Sequence, residues 1–121
     1  MSSVEDIVRL ANEARTRIKE ISPGESRALV ESGAILIDVR EEKEFKAGSI
    51  AGARHISRGQ LASRITEAVP DLSTPIVCFC AVGHRSAIAA DTLQKLGYHN
   101  VSSLAGGLKA YLVNPANRKV A

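Results

Sequence analysis

The run Pro75-Ile76-Val77-Cys78-Phe79-Cys80, followed within a few residues by a helical pattern, constrains this chain more than any other feature. Its unbroken apolar character is that of a central strand covered on both faces, as in parallel sheets. After Arg85 the small and apolar run Ala87 to Leu96 has helical periodicity, and Gly97 supplies a natural stop. Little more than Ala81-Val82-Gly83-His84 is left to reverse the chain, so the connection must be a tight strand-to-helix turn at the C-terminal edge of a sheet. Ligands bind at that edge in open α/β folds. Successive backbone N–H groups point at one spot there, and the helix dipole adds partial positive charge. Cys80, at the start of the turn, is therefore expected to ionise more readily than a free cysteine. The local pattern is that of a nucleophilic sulfur facing an anion.

The remaining segments alternate in the same way. Ser2 to Glu20 reads as an amphipathic helix, with Val4, Ile7, Ala11, Ala14, Ile18 and Ile21 on one stripe. The spacing also obeys a heptad, but it is too short for a convincing coiled coil, which favours packing on its own domain over a self-association arm. Ser22-Pro23-Gly24-Glu25 carries an N-cap, a proline at the first helical position and a capping-box glutamate, and opens a helix to about Glu31 that ends at Gly33. Ala34 to Val39 is an apolar strand with Asp38 near its end, Glu41 to Ala47 a short charged helix, and Ile50 to Ile56 a glycine-punctuated turn into a short strand. Arg58 to Val69 is helical and closed by Pro70, Val101 to Leu104 is the last strand, and Gly106-Gly107 precedes a short helix through Leu112. Asn114 to Ala121 is polar and basic and is expected to be loose. Strands alternating with helices imply a parallel sheet with helices on both faces.

Composition narrows the class of function. A chain of 121 residues with 45% apolar content is expected to make one compact domain with a real core. Two cysteines and the lack of a hydrophobic leader point to a soluble, cytoplasmic protein without structural disulfides. No run approaches the roughly 20 apolar residues of a membrane span. The net charge of +3 is mild, the basic residues are scattered and aromatics make up 3%, so small anions suit the charge at least as well as nucleic acid, which is not expected as a partner. Cys78, Cys80 and His84 lack a fourth partner at metal-ligand spacing, so neither a metal nor another cofactor is expected.

Three motifs, in order, resemble those of a single-domain rhodanese of the thiosulfate sulfurtransferase family. Asp38 to Ala53 is similar to D-x-R-x-x-x-E-[FY]-x-x-G-H-I-x-G-A, Cys80 to Ser86 to C-x-x-G-x-R-S, and Gly106 to Tyr111 to G-G-x-x-A-W. Ser49 stands where the family usually has histidine, Ser57 where proline is common, and Tyr111 where tryptophan is usual. The resemblance implies a rhodanese-like α/β fold, a parallel sheet of about five strands with helices on both faces. It divides the chain into an N-terminal helix at 1–20, packed on or extending from the domain, a rhodanese-like domain at 21–113 and a polar basic tail at 114–121.

The resemblance also implies a chemistry. Cys80 would take the outer sulfur of thiosulfate or a similar small anionic donor as a persulfide and pass it to cyanide, a thiol or a sulfur-acceptor protein. Backbone N–H groups from Ala81, Val82, Gly83, His84, Arg85 and Ser86 would cradle the developing charge. Arg85 would supply a fixed positive charge with a planar fork. Asp38 and Arg40 are read as structural first, with orientation of the active loop from behind as the functional alternative, and Arg40 and Glu44 have the spacing of a helical ion pair. Cys78 reads as structural, and His84 either tunes access or is a tolerated exposed side chain.

Two other functions compete. Cysteine phosphatases and arsenate reductases use a C-x-x-x-x-x-R cradle, whereas four residues separate Cys80 from Arg85 here, and no aspartate follows the loop in a context that suggests a general acid. Non-catalytic modules of this fold typically lose the cysteine, which is retained here within an intact loop. A relay serving one dedicated protein partner shares the Cys80 chemistry and differs only in donor and acceptor.

Overall fold

A computed structural model describes residues 3–118; the expectations for Ser2 and for residues 119–121 lie outside the described residues. Its elements are α1 (Val4–Arg15), β1 (Lys19–Ile21), α2 (Pro23–Glu31), β2 (Ile35–Asp38), α3 (Glu42–Ala47), β3 (Arg54–His55), α4 (Leu61–Ala68), β4 (Ile76–Phe79), α5 (His84–Lys95), β5 (Val101–Leu104) and α6 (Gly107–Tyr111). The five strands form one parallel sheet in the order β1-β5-β4-β2-β3. The α/β expectation therefore holds. β4 lies at the centre, and its end delivers Cys80 to the C-terminal edge.

Alternation along β4 sorts the core into two layers. Ile76, Cys78 and Cys80 pack with Leu61, Ile65, Ala89, Ala90 and Leu93 on the side of α4 and α5. Val77 and Phe79 join Ile21, Leu36 and Leu104 on the other side, where Leu29 and Val30 of α2 and Leu108 and Tyr111 of α6 close over them. The Ser22 and Glu25 capping box starts α2 as the spacing predicts.

The N-terminal segment departs from its expectation. The helix ends at Arg15, with Thr16 as its cap, and Lys19–Ile21 is an edge strand paired with β5 in register Ile21 to Leu104. Ile18 and Ile21 fit a helical stripe, but sheet pairing overrides that pattern, so the fifth strand comes from residues assigned to the helix. α1 packs on the domain: Ala11 and Ala14 sit against Ala87 of α5, where small side chains allow close approach. Arg17 then clamps Asp91 of α5 through two hydrogen bonds of 3.0 and 2.8 Å.

The C-terminal segment is also better tied than its polarity suggests. Pro115–Asn117 forms a short turn of 3-10 helix, and buried Asn117 donates from Nδ2 to the Tyr111 carbonyl and accepts from Arg27. Both ends of its amide are paired, so the segment is tied down as far as Arg118.

Ala11→Leu tests the seating of α1. Crowding a closely packed helix contact costs about 1–3 kcal/mol. That loss is expected in denaturant unfolding, whereas an α1 detached in solution would leave stability unchanged.

Candidate functional site

Between β4 and α5 the chain folds around the sulfur of Cys80. Gly83, the N-cap of α5, has φ of +103°, and its N–H donates to Cys80 Sγ over 3.1 Å. This backbone angle favours glycine, and a Cβ there would also come 3.2 Å from the Gly106 nitrogen. One turn into the helix, the Ser86 N–H donates to the same sulfur over 3.3 Å. Ser86 Oγ lies 3.4 Å from Sγ and 2.9 Å from Ser103 Oγ, which is fully buried on β5. With a thiol, the S–H donates to Ser86. With an anionic sulfur, the hydroxyls turn the other way, Ser103 donating to Ser86 and Ser86 to Sγ. Two amides and a reversible hydroxyl chain thus converge on one atom.

The expected cradle of successive N–H groups is narrower than its sequence span. Among the loop amides, those of Gly83 and Ser86 bond the sulfur. Ala81 contributes its carbonyl to the neighbouring helix, accepting from Lys109 N–H over 3.1 Å, while the Cys80 carbonyl accepts from Leu108 N–H over 2.8 Å. This seat requires Gly107: with φ of +61°, an added Cβ would meet the Cys80 oxygen at 2.5 Å and the Ala81 carbonyl at 2.6 Å. The glycine pair before α6 is thus the back wall of the cysteine loop.

Glu44 corrects one expectation, since the spacing predicts a helical ion pair between Arg40 and Glu44. Instead Arg85 holds Glu44 through two hydrogen bonds of 2.6 and 3.0 Å, so its fork is already engaged. Arg40 turns back to Asp38, meeting its carboxylate from Nε and Nη2 at 2.8–3.2 Å. The reason is local: α3 begins only at Glu42, so Arg40 lies outside the helix and never shares a helical face with Glu44.

Buried Asp38 also accepts from Arg40 N–H and from Ser49 Oγ, and Arg40 Nη2 donates to the Gly48 carbonyl over 2.8 Å. Ser49, at the position where histidine is usual, thereby completes the carboxylate's partners. His55 Nε2–H donates to the Arg40 carbonyl, and its ring stacks on Phe45 at a centroid distance of 4.9 Å. Asp38 and Arg40 thus bracket the segment that carries Glu44 to Arg85; they act on the loop only through that chain of contacts.

The structure adds participants without a motif in the sequence. Arg15, the last residue of α1, donates to the Gly83 carbonyl over 3.2 Å and to His84 Nδ1 over 3.1 Å, and also pairs with Glu20. Because a guanidinium only donates, His84 Nδ1 accepts, which leaves its proton on Nε2. Next to this contact is a cavity of about 170 Å³ reaching Cys80, with Val82, His84 and Arg85 on one side and Val4, Ile7 and Val8 of α1 on the other. Cys80 is only 1% exposed, whereas Val82 is 47% exposed. A larger groove of about 660 Å³ follows the outer side of α1, but no cysteine or histidine lines it.

Cys78 is a contrasting thiol. It is fully buried in β4, and burial pushes it up to about 12, with the neighbouring Cys80 adding to the effect. Both cysteines are free. Among the described residues, no group of three or more His, Cys, Asp or Glu side chains is placed to hold a metal ion, and no helix is long and apolar enough to cross a membrane.

Comparison with known proteins agrees with this architecture. Residues 22–114 match the model of the Rhodanese-like domain. A thiosulfate sulfurtransferase GlpE of Pseudomonas fluorescens is 35% identical over 79% of this chain and 86% of its own length. Its namesake from Pseudomonas aeruginosa is 37% identical over 77% and 83%. A human single-domain sulfurtransferase, TSTD1, superposes with a TM-score of 0.71 at 31% identity, over 78% of this chain and 96% of that one. A protein of unknown function from Rhodopseudomonas palustris, described as a possible tyrosine phosphatase, gives a TM-score of 0.82 at 27% identity over 95% of both chains.

Two expectations test the site. Gly107→Ala should slow alkylation of Cys80 and destabilise the protein more than Gly33→Ala, which meets no atom within 4 Å and should cost only the roughly 1–2 kcal/mol of left-handed backbone strain. Equal effects in alkylation rates and unfolding midpoints would show that the close seat does not shape the loop. For Glu44, the Arg85 hydrogen bonds hold the carboxyl below the usual range against the opposing cost of burial. A lowered value means that the pair's contribution is fully present above the unfolded glutamate value, about 4.3, and is lost as pH falls through the folded one. With the pair partly exposed, a gap of about 1 kcal/mol from Glu44→Gln is expected near neutrality, closing on acidification in denaturant midpoints taken across pH.

Proposed function

The chain belongs to the rhodanese-like family, and on that premise we propose that it is a sulfurtransferase moving a sulfane sulfur from thiosulfate or a similar donor to a thiophilic acceptor through a persulfide on Cys80. The observation that carries this reading is the convergence of the Gly83 and Ser86 amides and the Ser86 hydroxyl on one sulfur beside a cavity. Curated relatives named as thiosulfate sulfurtransferases support the donor class.

The chemistry is two displacements. Anionic Cys80 attacks the outer sulfur of the donor, the donor's S–S bond breaks, and sulfite departs with the bonding pair. An acceptor such as cyanide or a thiol then attacks the terminal sulfur, and Cys80 leaves as the anion. In the first step charge leaves Cys80 with sulfite and in the second it returns to Cys80, so the same donors hold the sulfur as attacking thiolate and as leaving thiolate. The Ser103-to-Ser86 chain lets the hydroxyl follow the charge without losing its own partner. In this reading Ala81 anchors the loop, Val82 and His84 shape the cavity, Gly83 and Ser86 cradle the sulfur, and Arg85 fixes the helix start through Glu44. A free thiol, cyanide or a sulfur-acceptor protein would serve as the second substrate, and the cytoplasm is its proposed location.

Phosphatase chemistry, suggested by the description of the Rhodopseudomonas palustris neighbour, fits less well. Among the described residues, no carboxylate lines the cysteine cavity to protonate a leaving alcohol, and the arginine fork is taken by Glu44.

Intact-mass measurement after exposure to thiosulfate tests the proposal. The expected product gains one sulfur atom, loses it to cyanide or a thiol, and does not form in Cys80→Ser. Ser86→Ala should slow loading roughly tenfold or more, the scale of a hydrogen bond to a charged group. Failure of every sulfane donor to add sulfur, or hydrolysis of an aryl phosphate at a rate rivalling sulfur transfer, would overturn the assignment.

A further inference from the structure

The cavity above Cys80 differs from an inorganic-anion site in its walls and its charge. Val4, Ile7 and Val8 of α1 and Val82 of the loop make its surface apolar. Arg85, the cation in its lining, is neutralised by Glu44 at 2.6 and 3.0 Å. The nearby Arg15 is spent on Glu20, the Gly83 carbonyl and His84. Among the described residues, what remains at this edge of the cavity is the Nε2–H of His84. A dianion entering here would shed water against valine and isoleucine and approach an anionic sulfur with no unpaired cationic side chain among the described residues of the lining, which is costly. An apolar group would be stabilised by the same walls. The volume of about 170 Å³ is close to the roughly 150 Å³ of apolar cavities that hold benzene.

Resting on the persulfide reading above, we propose that the donor-binding wall is built by α1 and selects sulfane-sulfur donors bearing one apolar group of about benzene size, such as organic thiosulfonates and organic persulfides, over inorganic thiosulfate. With a thiosulfonate, anionic Cys80 attacks the terminal sulfur, the S–S bond to the sulfonyl group breaks, and a sulfinate leaves with the electron pair. With an organic persulfide the same bond change expels a thiolate. The number of charges is unchanged in each case, and no oxidant or reductant is consumed. α1 is thus a specificity element: the helix docks through Ala11 and Ala14, which frees its first turns to face the substrate.

Donor kcat/KM values at saturating acceptor test this with benzenethiosulfonate, methanethiosulfonate and thiosulfate as probes, each rate divided by that donor's rate with a free small-molecule thiol. The two thiosulfonates carry the same charge and differ in the apolar group. The phenyl donor should exceed the methyl donor by about tenfold or more, within the range by which apolar pockets distinguish added carbon, and both should exceed thiosulfate. Val8→Ser and Val4→Ser sit on partly and largely exposed positions and should fold normally. Each should lower the phenyl-to-methyl ratio at least about threefold, a loss on the scale of a fraction of a pocket contact. A phenyl-to-methyl ratio near one in the wild-type protein, thiosulfate matching the thiosulfonates, or valine variants that slow all donors alike would overturn the wall. Thiosulfate loading with a ratio near one would sink this inference and leave the sulfurtransferase assignment standing; no loading from any donor would sink both.

Discussion

Everything at the site depends on how closely two backbones approach each other behind the cysteine. The Gly107 Cα lies where any side chain would collide with the Cys80 and Ala81 carbonyls. That contact lets Leu108 and Lys109 N–H groups take those carbonyls, so the loop's oxygens point backwards. With its oxygens held behind, the turn at Gly83 aims two amides forward at the sulfur. A loop with one carbonyl swung inward would place a negative dipole end beside the Cys80 sulfur and oppose the two amides that donate to it. The glycine pair and the cysteine loop, more than twenty residues apart in sequence, are therefore one mechanical unit.

Electrostatic pairs surround that unit and leave little free charge in it. Asp38 with Arg40 is a buried pair whose oxygens and N–H groups also engage Gly48 and Ser49. Such pairs add little net stability over an apolar replacement but are expensive to break by halves. Glu44 with Arg85 links the same segment to the first turn of α5. Arg85 is thus a strut between two elements, and the rest of the cavity beside Cys80 is lined by valines, an isoleucine and His84.

The strand, loop and helix around Cys80 were legible in the sequence because each rule there points the same way. An unbroken apolar run, a glycine at a left-handed turn and a helical repeat leave one arrangement. Three-residue β1 was not legible: Lys19 and Glu20 look like helix surface, and Ile18 and Ile21 continue the stripe of α1, so only pairing with β5 separates strand from helix. The Arg40 and Glu44 pair failed for a related reason, since spacing counts only where a helix exists, and α3 starts two residues too late. The capping box of α2 succeeded because its partners are local. The contribution of α1 to the cavity had no local signature at all; Val4, Ile7 and Val8 come to line one cavity with Val82 only through the docking of one helix on another.

The two cysteines have a consequence for the lifetime of any cargo on the outer one. Cys78 is sealed within the core and holds its proton to about pH 12, so at neutral pH it supplies almost no thiolate to attack its neighbour. On the proposed persulfide reading, a sulfur held on Cys80 would therefore discharge poorly into an internal disulfide. Leakage by that route would be suppressed, and the loaded protein would wait for an encounter with a second molecule.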